Sequence, residues 1–179
     1  MNVKALIKPV AVLAAVFVLL LALSAGLAPT AAENAAAEQA RLFDTLLPGG
    51  APFTEEAYNG EDTAIAAVHR GSTGYILETV TAGYAGDITM LVAVDFDGAV
   101  VGAVVREMEE TFGLGAEALS DAGFLSQLGW SRGELAVGDN VDALTGATVT
   151  SKAVVKAVNS ASAFVTGADV SSSATEWGG

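Results

Sequence analysis

The chain has no cysteine and only one histidine in 179 residues. Without cysteine there is no disulfide, no cysteine-ligated iron–sulfur cluster, no thiolate zinc site and no lipid-modified cysteine anchor. A serine or threonine nucleophile needs a base within hydrogen-bond reach, and His69 is the one histidine available. The motifs of such chemistry are missing too. There is no Gly-x-Ser-x-Gly elbow, and Val149 stands where a Ser-x-x-Lys pattern ending at Lys152 needs serine. "GATVTSK" does not satisfy the phosphate-loop pattern, and in "GLGAEA" Ala118 occupies the third glycine position of a dinucleotide fingerprint. His69 therefore reads as structural, and no catalytic residue or metal ligand is assigned.

Charge is absent from one long stretch. Val10–Ala28, "VAVLAAVFVLLLALSAGLA", carries none over nineteen residues. A hydrocarbon core of ~30 Å takes roughly 20 apolar residues as a helix, so this run is long enough to span. Lys4 and Lys8 precede it, and no basic residue follows until Arg41. That asymmetry places the N-terminus in the cytoplasm and the remainder across the membrane. A cleaved signal peptide is the rival reading, because "SAG" and "LAP" offer small residues near its end. The run exceeds the roughly 7–15 residues of a signal h-region, which favours a retained anchor. Either way the domain is exported. Six basic residues then stand against all 21 acidic ones, a formal charge of −15. Such a domain is repelled by nucleic acid and by anionic lipid surfaces, and the excess mainly serves solubility.

Past the anchor, "PTAAENAAAEQARL" (Pro29–Leu42) is rich in helix formers. Leu42, Phe43, Leu46 and Leu47 give its far end an apolar stripe, and "PGGAP" ends it. Strand-like runs follow: "TAIAAVHR" to Arg70, "GYILETV" to Val80, and Asp87–Met108. Asp97-Gly98 inside the last run is a hairpin signal, and "TAGYAG" (Thr81–Gly86) is a glycine-punctuated turn before it. Glu109–Gly115 reads as a loop and Ala116–Leu128 as a helix weakened by Gly123. "SRGELAVGDN" reads as a polar turn region holding a short strand. From about Thr150 a last helix begins, with Val154, Val155, Val158, Ala161 and Val165 on one face and Ser162 interrupting it. The tail "GADVSSSATEWGG" reads as frayed. The class is α+β, one transmembrane helix followed by a single domain with an antiparallel sheet packed against helices. The segments are 1–9 cytoplasmic, 10–28 transmembrane, 29–47 a helical connector, 48–167 the domain and 168–179 a tail.

Hydroxyls concentrate in "VDALTGATVTSKAVVKAV" (Val141–Val158), where Thr145, Thr148, Thr150 and Ser151 lie within seven residues. One reading is capping, with Thr150 or Ser151 accepting a first-turn N–H of the last helix. That uses one hydroxyl and leaves Thr145 and Thr148 over. The other reading is phosphate binding. A helix N-terminus carries free N–H groups and the positive end of the macrodipole. Lys152 adds an ammonium, and Gly146 and Ala147 keep the approach small.

"DALTGATVTSKAVVKAV" (Asp142–Val158) closely resembles the flavinylation motif of the FMN-binding domain. That domain is found in the G subunit of the Rnf electron transport complex and in the C subunit of the sodium-pumping NADH:quinone oxidoreductase. "GYAGDITMLVAVDFDGAVVGAVV" resembles the family's Gly-Tyr hairpin segment, and "EETFGLGAEA" its Glu-Thr-Pro-Gly-Leu-Gly loop. "LPGGAPFTEEAYNG" and the single N-terminal helix also fit, so the likeness covers nearly all of the chain.

The resemblance implies FMN bound covalently through a phosphoester to Thr148. A separate flavin transferase moves the FMN part of FAD onto that hydroxyl and reads Asp142, Thr145, Gly146 and Thr148. Thr148 is then a substrate and needs no resident base. Glu110, Thr111, Gly113, Leu114 and Gly115 would lie against the isoalloxazine. Thr145, Gly146, Ala147, Thr150 and Lys152 would line the phosphate. Phe112 stands where the family usually has proline, which makes the loop less rigid, and its ring either packs into the core or stacks on the flavin. Tyr84 reads as a turn residue.

The resemblance further implies an electron carrier in the cell (inner) membrane, single-pass, with its FMN domain on the outer face. It would be the G subunit of an Rnf-type ion-translocating ferredoxin:NAD⁺ oxidoreductase, with the other membrane subunits as partners and no nucleic acid bound. On that resemblance it would transfer electrons within a larger assembly rather than act as a complete enzyme alone. The C subunit of the quinone reductase and a stand-alone exported flavoprotein share the fold. A cofactor-free scaffold is the alternative of a different class. The short chain and the single anchor without large insertions favour the G subunit.

Overall fold

The computed structural model describes Leu13 and residues 16–20, 33–108 and 121–168. The chain forms two compact units, Met1–Leu42 and Phe43–Gly179. In the first, Leu13 and residues 16–20 are helical, and Leu13, Val16, Phe17, Val18, Leu19 and Leu20 are all exposed. The expected transmembrane run 10–28 lies largely outside the described residues. Among those described, no helix is long and apolar enough to cross a membrane.

A helix, α1, covers 33–46. It stops where expected, at the turn containing Pro48 and Gly49, with the Leu47 N–H bonded to the Phe43 carbonyl at 2.9 Å. Gly49 takes a left-handed φ of 74° there. The apolar stripe at this end is buried at Phe43, Leu46 and Leu47 and partly buried at Leu42.

Five strands follow as one antiparallel meander in chain order. They are β1 (Thr54–Glu56), β2 (Ile65–Arg70), β3 (Gly74–Ala82), β4 (Asp87–Asp95) and β5 (Val100–Met108). β1 was not foreseen; at three residues it has too little alternation to read. The Asp97-Gly98 hairpin forms as the dipeptide predicts. Asp95 Oδ1 accepts the Asp97 and Ala99 N–H groups, and Gly98 has φ 82°. The preceding turn is shorter than expected. Thr81 and Ala82 pair with Ile88 and Asp87, so the reversal is confined to Gly83–Gly86.

Alternation divides the sheet into two buried faces. Leu77, Ile88, Met90, Val92 and Val94 join one cluster with the last helix. On the opposite face Ile76, Leu91 and Ala93 are also fully buried. Leu46 packs over Gly102 there, where any Cβ would meet its backbone carbonyl at 2.8 Å. Phe43 and His69 meet in a tilted ring contact with centroids 4.9 Å apart.

The helix expected at 116–128 is helical at Ala122–Ser126 (α2). Residues 116–120 lie outside the described part. Asp121 caps α2 by accepting the Phe124 N–H at 2.7 Å. At the far side Trp130 turns the chain with φ 63°, and its N–H bonds to the Val100 carbonyl. The short strand expected in "SRGELAVGDN" is not formed. Val137 and Val141 make one isolated bridge, because Asn140 closes the segment into a turn through its side chain.

The last helix, α3, spans Thr148–Thr166, so it starts two residues earlier than expected. Its 19 residues measure about 28 Å. Val154, Val155, Val158 and Ala161 are fully buried as the periodicity predicts, and Val165 is partly buried. Ser162 also belongs to the buried face, its hydroxyl donating to the Gly98 carbonyl at 2.6 Å. Gly167 ends the helix in a left-handed conformation. The tail expected to fray lies outside the described residues from 169 onward.

Leu77 is fully buried between β3 and α3. We expect Leu77→Ala to lower stability by about 2–5 kcal/mol, read from the urea midpoint with the denaturant slope unchanged.

Candidate functional site

The hydroxyl-rich segment lies where α3 begins. Thr81 Oγ1 donates to the Ala153 carbonyl at 3.0 Å, which lays the N-terminal part of α3 over the end of β3. Ala82 pairs with Asp87 and Ile88 with Met108, so the 83–86 turn, the start of β4 and the end of β5 share that end of the sheet.

The approach to α3 is held at successive points. Asn159 is buried; its Nδ2 donates to the Leu135 carbonyl at 2.8 Å and its Oδ1 accepts the Leu135 N–H at 3.2 Å. Asn140 closes the next turn. Gln127 Oε1 accepts the Asp142 N–H at 2.8 Å. A tight turn then runs from Leu144 to Ala147, whose N–H bonds to the Leu144 carbonyl at 3.0 Å. Gly146 takes φ 76°, a conformation that strains a residue carrying Cβ.

That turn delivers the chain to α3 at Thr148. Thr148 is exposed, as are Asp142, Thr145 and Gly146. Ala147 is buried and Lys152 half-buried. Thr150 is buried at 1% relative exposure, so its side chain does not share the open surface of Thr145 and Thr148. Glu110, Thr111, Phe112, Gly113, Leu114 and Gly115 lie outside the described residues. Tyr84 is exposed on the 83–86 turn, at the same end of the sheet.

The expected capping by Thr150 or Ser151 does not occur. The N-cap is Ala147 and no side chain accepts a hydrogen bond there. Because the helix begins at Thr148, Thr150 and Ser151 fall third and fourth in it, past the capping position. Ser151 instead reaches backwards, accepting the Leu144 N–H at 3.0 Å and donating to the Ala147 carbonyl at 2.9 Å.

The first intrahelical bond runs from the Ser151 N–H to the Ala147 carbonyl at 2.9 Å. The N–H groups of Thr148, Val149 and Thr150 precede it and point out of the helix end. The first turn contains no acidic residue. This end thus presents donors, the positive macrodipole and the stem of Lys152 beside one exposed hydroxyl, an arrangement suited to an anion carrying a phosphate. Gln127, Asn159 and the inward role of Ser151 were not foreseen, since their partners are backbone groups up to 24 residues away.

The FMN-binding domain family matches residues 83–163, which run from the glycine turn into α3. Comparisons over three quarters or more of the chain narrow the class. The chain is 35% identical to the G subunit of the proton-translocating ferredoxin:NAD(+) oxidoreductase complex of Clostridium ljungdahlii, with 77% of each chain covered. It is 36% identical to the G subunit of the ion-translocating oxidoreductase complex of Escherichia coli O157:H7, covering 75% of this chain and 77% of that one. The G subunit of the Cronobacter sakazakii complex is 33% identical over 86% of both. The chain belongs to the family of G subunits of ion-translocating oxidoreductase complexes, and its domain is an FMN-binding domain.

Asn159→Ala leaves the Leu135 N–H and carbonyl without partners in a buried setting. We expect a loss of about 2–4 kcal/mol in urea unfolding. Hydrogen exchange should quicken across 134–147 while β3 and β4 stay protected.

Proposed function

We propose that the protein is a membrane-anchored flavoprotein that relays electrons as the G subunit of an Rnf-type ion-translocating ferredoxin:NAD⁺ oxidoreductase complex. Its FMN is joined to Thr148 through a phosphoester. The observation that carries this reading is the exposure of Thr148 as the first residue of a long helix that no side chain caps. The residues present fit a flavin phosphate. Free N–H groups face it, Lys152 contributes positive charge, and Thr145, Gly146 and Ala147 leave room beside it.

FMN supplies reversible redox chemistry when bound; the protein orients it and tunes it. Glu110, Thr111, Gly113, Leu114 and Gly115, which follow β5 in the sequence, are the proposed ring contacts. A flavin transferase installs the group and reads Asp142, Thr145, Gly146 and Thr148. Attachment makes cofactor retention intramolecular, with an effective concentration on the order of millimolar. That matters outside the cytoplasm, where a released flavin is lost by dilution.

Residues 1–9 lie in the cytoplasm, 10–28 cross the inner membrane, 29–47 form the connector, 48–167 the FMN domain and 168–179 the tail. The exposed apolar side chains of Leu13, Val16, Phe17, Val18, Leu19 and Leu20 support insertion in lipid. The other membrane subunits of the complex are the partners, and the ferredoxin and NAD⁺ chemistry belongs to them.

Protein purified from its native membrane should run as a fluorescent band on a denaturing gel. The peptide containing Thr148 should carry the mass of one esterified FMN. Thr148→Ala should abolish both signals and leave the fold intact. Native material with that peptide unmodified, although the transferase is present, overturns the reading.

A further inference from the structure

A helix start is usually held by Ser, Thr, Asp or Asn at the N-cap, whose oxygen accepts an N–H from the first turn. That oxygen then lies over the helix end, in the place an anion would take. Here the N-cap is Ala147, which offers no such oxygen. The segment is secured from the opposite side. Ser151, with no exposed surface, sends its hydroxyl back to the turn ahead of the helix. It accepts the Leu144 N–H and donates to the Ala147 carbonyl. The turn is fixed, and the first-turn N–H groups remain open.

Resting on the reading of Thr148 as the flavin acceptor, we infer that Ser151 is a positioning residue for flavin transfer. It locks the Leu144–Ala147 turn so that Thr148 stands at a rigid helix end with its neighbouring N–H groups free for the incoming phosphate. In the transfer, the Thr148 Oγ–phosphorus bond forms as the pyrophosphate bond of FAD breaks. AMP leaves, the hydroxyl proton passes to a base of the transferase, and no electron is exchanged. Ser151 touches neither FAD nor AMP. Its effect is on the direction and rigidity of the acceptor, where a misplacement of about 1 Å can cost a large factor in rate.

Ser160 is the natural control. It is another fully buried serine of α3, and its hydroxyl has no hydrogen-bond partner. The test incubates the full-length flavin-free chain with purified flavin transferase and FAD, following covalent fluorescence with time. We expect Ser151→Ala to lower the initial rate by about 10-fold or more, while Ser160→Ala proceeds at the parent rate. Ser151→Cys keeps the volume, weakens the hydrogen bonds and should also be slowed. Hydrogen exchange of Ser151→Ala should quicken at Leu144–Thr148 and stay at parent levels in β3 and β4. A parent-like rate for Ser151→Ala, or equal slowing of both alanine variants, overturns the positioning role while Thr148 remains the acceptor. Covalent flavin on Thr148→Ala overturns the acceptor assignment itself, and the positioning role with it.

Discussion

Two side-chain hydroxyls decide where α3 lies on the sheet. Thr81 bonds to the Ala153 carbonyl near one end of the helix, and Ser162 bonds to the Gly98 carbonyl toward the other. Hydrophobic burial between β3, β4 and α3 supplies most of the stabilisation, but it is non-directional and tolerates small slides. The hydrogen bonds remove that freedom, because a buried hydroxyl moved away from its acceptor loses its partner. Fixing the helix also fixes its N-terminus, and therefore the one exposed threonine at its start.

The site is economical in charge. The protein is strongly acidic, with a formal net charge of −13, yet the proposed phosphate site at the start of α3 needs few cations. Backbone N–H groups act at hydrogen-bond distance, whereas surface carboxylates act through solvent. At physiological salt a Debye length of about 8 Å weakens the distant repulsion and leaves the local dipole in control. The first turn of α3 contains no acidic residue, so no carboxylate opposes that field from within the helix start. An acidic surface and the proposed phosphate site at one helix end are compatible for this reason.

Membership in this family of G subunits fits a chain with no thiol, no metal cluster among the described residues and one histidine under a phenylalanine ring. An FMN-binding domain relies on its cofactor for redox chemistry. It can offer attachment, orientation and a place beside other proteins of a complex, with the redox chemistry lying in the cofactor. The rigid sheet and the pinned approach to α3 suit that division of labour.

Much of this was legible in sequence because it depends on local periodicity. The Asp97-Gly98 hairpin, the alternation of β4 and the apolar face of α3 follow from side-chain spacing over a few residues. The α+β class came from the same reading, whereas the role expected of Thr148 came from the resemblance to the FMN-binding domain. What tertiary structure decided lies in pairings between distant backbone groups. Ser151 looked like a cap and proved to be a brace, because the Gly146 turn brings α3 in two residues earlier. Thr150 looked available and is buried. Asn159 and Gln127 carried no motif at all, since what each recognises is a main-chain N–H or carbonyl, which every residue type but proline supplies in full. Local propensity therefore marks which residues form the elements. Only the folded chain determines which polar groups meet, because each must find its partner once water is excluded.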